Sequence, residues 1–231
     1  MKTIGMIGGM SWESTLEYYR IVNQDVKARL GGLHSAKCLL YSVDFEEIER
    51  LQHENRWEEA GELLGRAARR LEKGGADFIL ICTNTMHKVA EAVQQSVSIP
   101  LLHLADATAE VIKEKGLKKI ALLGTRFTME EDFYKGRLVD HYGLDVLVPN
   151  EQEMDVIHQV IYEELCLGKI NSESRQKHID VIDRLKGEGA EGAILGCTEI
   201  GLLVKQEDTD VPLFDTTEIH ARAAVDFALR E

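Results

Sequence analysis

Short apolar runs recur along the chain, separated by longer stretches in which apolar residues return every three or four positions. The runs fall at residues 4–7, 38–43, 78–82 and 101–103 in the first part, and at 120–123, 146–148, 193–196 and 213–214 in the second. Runs of this length, flanked by turn-forming residues, read as buried strands. Residues 57–73 carry Ala60, Leu63, Leu64, Ala67, Ala68 and Leu71 at helical spacing, and Gly74 and Gly75 follow as a stop, which predicts an amphipathic helix. Residues 46–59, rich in charge, read as a solvated helical surface. Strands alternating with helices predict βαβ units and mainly parallel sheets.

The pattern occurs twice. Lys2-Thr3-Ile4-Gly5-Met6-Ile7-Gly8 is matched by Lys118-Lys119-Ile120-Ala121-Leu122-Leu123-Gly124. Gly75-Ala76-Asp77-Phe78-Ile79-Leu80 is matched by Gly189-Ala190-Glu191-Gly192-Ala193-Ile194, and Ile99-Pro100-Leu101-Leu102 by Val211-Pro212-Leu213-Phe214. One such match is weak, because buried strands look alike. Three in the same order, at an offset that drifts by only a few residues, predict two related halves. The expected architecture is α/β, with two pseudo-symmetric lobes, each a mainly parallel sheet flanked by helices. Residues 1–99 with 211–231 form one expected lobe and residues 100–210 the other. Ligands of open parallel sheets bind beyond the carboxyl ends of the strands, so the expected site is a cleft between the lobes.

Composition narrows the function. The 231 residues include 27 Lys and Arg against 40 Asp and Glu, a formal charge of −13, and 44% are hydrophobic. A phosphate-backbone binder needs clustered cations, so a nucleic-acid partner is not expected. No apolar run approaches the ~20 residues that cross a bilayer, so no membrane span is expected. Gly5, Gly8 and Gly9 interrupt the apolar N-terminus, charge follows from Glu13, and no small-x-small cleavage site appears; a cytoplasmic protein is expected. Neither GxGxxG nor GxxxxGK[ST] is present, and the eight histidines show no HExxH or comparable spacing, so neither a nucleotide nor a metal is expected. Cys38, Cys82, Cys166 and Cys197 form no CxxC pair and are too few for a disulfide framework. Cys38 and Cys166 read as structural.

Two stretches carry candidate chemistry. Cys82-Thr83-Asn84-Thr85-Met86-His87 and Gly196-Cys197-Thr198-Glu199 occupy matching places in the two halves, each after a buried strand and before a helix. Helix N-termini offer unpaired N–H groups to a carboxylate, and their field is expected to lower a nearby thiol's pKa.

With these motifs the chain resembles the aspartate/glutamate racemase family, which works without pyridoxal phosphate. The resemblance also covers the loop from Ile4 to Met10 and the run Gly8-Gly9-Met10-Ser11-Trp12-Glu13-Ser14. It implies a two-lobed isomerase acting on an amino acid, aspartate/glutamate or a broader range, with no cofactor, as a homodimer. In the family, a cysteine on each side of the substrate α-carbon removes or returns a proton. This chain departs from that pattern, because Asn84-Thr85 is preceded by Thr83 rather than by cysteine. The repeat register pairs Thr83 with Cys197 and Cys82 with Gly196. Since strand side chains alternate, Cys82 is expected beside the strand and Thr83 opposite Cys197; a bulge that brings Cys82 into the site is the alternative. A thiolate is a good base and a threonine hydroxyl a poor one, so rates from L- and D-substrate are expected to differ strongly, with Thr83 as donor or relay.

By the same resemblance, Met10 or Ser11, Asn84, Thr85 and Thr198 hold the α-carboxylate and amino groups. Thr125, in the loop that repeats the first one, joins them. Glu199 assists Cys197 or binds the ammonium group. For Asn84, Thr85 and Thr198 plain helix capping is the alternative, and His87 either touches the site or makes a structural hydrogen bond. Relatives that use aspartate hold its distal carboxylate with an Arg after the second strand and a Lys in the second half. The matching stretches here, Ser42-Val43-Asp44-Phe45 and Ile161-Tyr162-Glu163-Glu164-Leu165-Cys166, supply neither. That allows a neutral side chain, with Gln52 as a candidate contact. A single-cysteine decarboxylase or cis-trans isomerase of a malonate- or maleate-like diacid, and a non-catalytic amino-acid sensor, are the competing functions.

Overall fold

The first strand, β1 (Ile4–Gly8), pairs in parallel with two others, and this sets the frame of the first half. A computed structural model describes residues 1–230. In chain order it contains β1, α1 (Trp12–Leu30), β2 (Cys38–Ser42), α2 (Phe45–His53), α3 (Trp57–Lys73), β3 (Phe78–Ile81), α4 (Ala90–Gln95), α5 (Leu104–Glu114), β4 (Lys119–Gly124), α6 (Arg126–Glu130) and α7 (Lys135–Tyr142). There follow β5 (Asp145–Leu147), α8 (Glu151–Glu163), α9 (Ser172–Gly187), β6 (Gly192–Gly196), α10 (Ile200–Leu203), β7 (Leu213–Asp215) and α11 (Thr216–Leu229). Packing divides the chain into one unit of Met1–Leu104 with His220–Glu231 and a second of Ala105–Ile219. The chain crosses between them a few residues later than the repeat suggested, so β7 belongs to the second unit.

In the first unit the sheet order is β2-β1-β3, all parallel. Alternation along β1 and β3 feeds two apolar layers. Ile7, Ile79 and Ile81 pack with the α3 residues Leu64, Ala67, Ala68 and Leu71. Ile4, Met6, Phe78, Leu80 and Cys82 pack with Tyr18, Val22 and Val26 of α1 and with Ala221, Ala224, Val225 and Ala228 of α11. Residues 101–103 do not form a fourth strand; only a bridge from Ile79 to Leu101 forms. The charged run 46–59 is likewise not one helix, because Asn55, at φ 57°, separates α2 from α3.

In the second unit the order is β5-β4-β6-β7, again all parallel. Ala121, Leu123, Ala193 and Leu195 pack against Ile157, Val160 and Ile161 of α8 and Val181, Ile182 and Leu185 of α9. The repeat is visible in the hydrogen bonds. Ile79 N–H donates to the Pro100 carbonyl in the first unit, and Ala193 N–H donates to the Pro212 carbonyl in the second, each at 2.8–2.9 Å. The match extends to the strand ends. Ile7 pairs with Ile81, and the next step along both strands sets Gly8 beside Cys82; in the second unit Gly124 pairs with Gly196.

Candidate active site

In each unit the candidate residues gather where two neighbouring strands end. In the first unit β1 runs into the loop Gly8-Gly9-Met10-Ser11. Gly9 has φ 89°, and a side chain there would stand 2.3 Å from the Val43 carbonyl, so the turn requires glycine. Its N–H donates to Thr15 Oγ1 at 2.8 Å. Ser11 caps α1, its Oγ accepting the Ser14 N–H, and the Ser14 hydroxyl lies 3.5 Å from the Cys82 carbonyl, which ties this loop to the end of β3. The Met10 side chain packs in the apolar layer with Ile7 and Ile48. Its backbone lies in the loop.

Beyond β3, parity decides which side chain goes where. Cys82 continues the Phe78-Leu80 side and is wholly buried in that layer, where burial pushes its thiol pKa far up. Thr83 continues the opposite side and keeps 9% exposure. Asn84 follows at the head of a 3₁₀ segment (Thr85–Val89) that holds Thr85 and His87, and the Asn84 side chain makes no capping bond to it. All three are buried. Gln52, at the end of α2, turns inward and its Nε2 lies 3.0 Å from Met86 Sδ.

The second unit builds its equivalent from β4 and β6. Gly124 lets the two strand ends close up, since a Cβ there would meet the Gly196 carbonyl at 2.7 Å. Thr125 caps α6, its Oγ1 accepting the Thr128 N–H at 3.3 Å, as Ser11 does in the other unit. Cys197 follows Gly196 and is 7% exposed. Its Sγ donates to Glu199 Oε2 at 2.9 Å, and the Thr198 hydroxyl donates to the same oxygen at 2.8 Å. The start of α11 braces this strand end: the Thr216 hydroxyl donates to the Leu195 carbonyl at 2.8 Å and the Thr217 hydroxyl to the Thr198 carbonyl at 3.4 Å. These two threonines had no signature in the sequence; adjacent hydroxyls opening a helix usually cap that helix.

The structure corrects one electrostatic expectation. The Cys197 thiol pKa is raised, not lowered, first by burial and then by the negative charge of Glu199, with Cys166 adding to it. The helix after β6 is only the four residues of α10, so little dipole opposes the carboxylate two residues away. In this state Cys197 is a neutral thiol with a proton acceptor in contact. The Thr198 hydroxyl points to Glu199 and not to a helix N–H, so it is no simple cap. Among the described residues, no group of three or more His, Cys, Asp and Glu could hold a metal ion, and no helix is long and apolar enough to cross a membrane.

Comparison with known proteins gives concordant matches. The family profile described as Asp/Glu/Hydantoin racemase matches residues 7–224. A crystal structure from Yersinia pestis, provisionally named an Asp/Glu racemase, shares 56% identity over the full length of both chains with a TM-score of 0.93. An aspartate racemase homologue from Pyrococcus horikoshii OT3 shares 38% over the full length of both, with a TM-score of 0.86. The broad specificity amino-acid racemase RacX of Bacillus subtilis is 25% identical over 244 residues, covering 96% of each chain.

Proposed function

Since the chain belongs to the Asp/Glu/hydantoin racemase family and is an isomerase of its amino-acid racemase kind, we propose that it inverts an amino acid without pyridoxal phosphate, using Cys197 on one face of the α-carbon and Thr83 on the other. The observation that carries this reading is the Cys197 thiol at the end of β6, donating to Glu199 at 2.9 Å. The thiol proton passes to the Glu199 carboxylate, and the resulting thiolate takes the α-proton. The electron pair of the Cα–H bond moves into the α-carboxylate as an enediolate. A proton then arrives on the opposite face from the Thr83 hydroxyl, which regains one from solvent while Glu199 releases to solvent the proton it took from the thiol. Thr83 supports this role by standing at the same strand-end position in its unit as Cys197 does in the other.

The proposed substrate is aspartate, glutamate or a broader range that includes neutral side chains. The missing distal cations favour the broader range. Asn84, Thr85, Thr125 and Thr198, with the Met10–Ser11 backbone, are the proposed contacts for the α-carboxylate and amino groups. Gln52, whose Nε2 lies 3.0 Å from Met86 Sδ, is the proposed side-chain contact. A panel of L-amino acids incubated in D₂O and scored by NMR tests the reading. Loss of the α-proton signal from at least one of them is expected, and no exchange with any would end it.

We also propose that the chain pairs with a second copy through α1. Trp12, Leu16 and Tyr19 are 66%, 55% and 50% exposed and form one stripe, spaced to lie along a single helix face. Such a stripe is self-complementary about a twofold axis.

A further inference from the structure

Thr83 carries no charge and no strong acid, so its usefulness depends on where its backbone holds it, and a histidine holds that backbone. His87 Nδ1 lies 2.8 Å from the Thr83 carbonyl oxygen. A carbonyl can only accept, so the proton is on Nδ1. Nε2 of the neutral ring is then an acceptor, and the Leu104 N–H donates to it at 3.2 Å. Both ring nitrogens are committed to backbone groups in roles that only one tautomer satisfies, and an imidazolium would forfeit the second bond. The ring is 3% exposed.

A second histidine makes the same kind of grip in the opposite tautomer. His220 Nε2 donates to the Leu102 carbonyl at 2.9 Å, and its Nδ1 accepts the Tyr18 hydroxyl at 2.9 Å. The His87 ring meets His103 and His220 edge-on, with centroids 4.6 and 5.8 Å away. Leu102, His103 and Leu104 are thus held in succession by carbonyl, ring and amide. His87 joins that held segment to the end of β3.

We propose that His87 is a positioning residue for Thr83: in its Nδ1–H tautomer it anchors the Thr83 carbonyl to the 102–104 segment and so sets the direction in which the Thr83 hydroxyl leaves the strand. This rests on the reading that Thr83 and Cys197 serve different faces of the substrate. It differs from a packing role, because His87 then matters for one face of the α-carbon and not for the other.

The test follows two rates in D₂O by NMR on the full-length protein. Exchange with retention needs only the Cys197 face, whereas exchange with inversion needs both. His87→Leu is expected to slow inversion about tenfold or more relative to retention, since small misplacement of a reacting group is costly. His87→Asn places an N–H near the Nδ1 position and is expected to restore most of the inversion. His87→Gln places its amide nearer Nε2 and is expected not to. Proportional loss of both rates in all three variants overturns the proposal, as does rescue by Gln but not by Asn. If His87→Leu fails to fold, the Asn and Gln pair still decides. Absence of any exchange by the wild-type protein is a different result, which removes the racemase reading and this inference with it.

Discussion

The Cys197 thiol and the Glu199 carboxylate, two residues apart in the chain, share one hydrogen bond of 2.9 Å, and the Thr198 hydroxyl between them donates to the same carboxylate oxygen. Three consecutive side chains thus form one proton-handling group, fixed by the turn from β6 into α10. Its resting state keeps the proton on sulfur, because burial and the nearby negative charge both disfavour a thiolate.

Cys197→Ser should lower turnover at least about a hundredfold, the lower end of what one general acid/base group contributes. The mutant's far-UV spectrum should be unchanged, since Cys→Ser is a small change. Steady-state kinetics on whichever amino acid exchanges fastest provides the measurement; full activity would exclude Cys197 as the base.

Glu199→Gln separates acidity from catalysis. Removing the charge takes away the second cause of the raised thiol pKa, so the thiol should ionise at lower pH than in the wild type. Peptide-resolved alkylation of Cys197 across a pH series should show its midpoint moving down. Turnover should nonetheless fall, because no carboxylate remains to take the thiol proton. A midpoint that stays or rises would mean Glu199 does not control the thiol.

At Thr83 the two faces can be made equal or one removed. Thr83→Cys should bring the initial rates of deuterium entry from the two enantiomers closer together. Thr83→Ala should keep exchange with retention and lose most inversion. Equal initial rates from both enantiomers in the wild type would contradict the unequal pair.

Much of this was legible from residues alone, for reasons that particular positions show. The strands were, because Phe78, Ile79, Leu80 and Ile81 are buried on both faces and a parallel strand between helices has little room for polar side chains. The equivalent strand-end places of Cys82 and Gly196, each within its own unit, were legible, because the glycine-bounded repeat preserves them. Residues 101–103 were not, since a single bridge needs the same apolar residues as a strand. The direction of the Cys197 shift was not either: it depends on the length of α10 and on where the Glu199 side chain turns, and neither is a property of composition. The Tyr18–His220 bond joins residues 202 apart, and no local pattern announces it.

Acid should weaken the fold in a definite window. Burial, with His87 nearby, pushes the His220 pKa down to about 3 from an ordinary 6.5. The folded protein therefore keeps it neutral while the unfolded chain takes up a proton below 6.5. The unfolded state binds more protons there, so stability is fully present above that value and is lost as pH falls toward 3. By pH 5 the loss is about 2 kcal/mol from this group alone, and the buried His178, also shifted down, adds in the same direction. Denaturant titrations at pH 7 and pH 5 should show the drop, and His220→Gln should flatten it whatever its effect on absolute stability.

Leu16→Lys, in the middle of the exposed stripe on α1, should shift the protein from dimer to monomer in sedimentation while leaving its secondary structure intact. A monomeric wild type would remove the pairing proposal.

The position of α11 has a bearing on how the chain is made. Ala221, Ala224, Val225 and Ala228 complete an apolar layer whose other members come from β1, α1 and β3, yet they leave the ribosome after every residue of the second unit. The second unit is continuous and can close its core as soon as β7 emerges. The first must wait with the layer between β1, β3 and α1 incomplete. During synthesis the usual N-terminal-first order is therefore reversed, and the half carrying Cys197 can be finished before the half carrying Thr83.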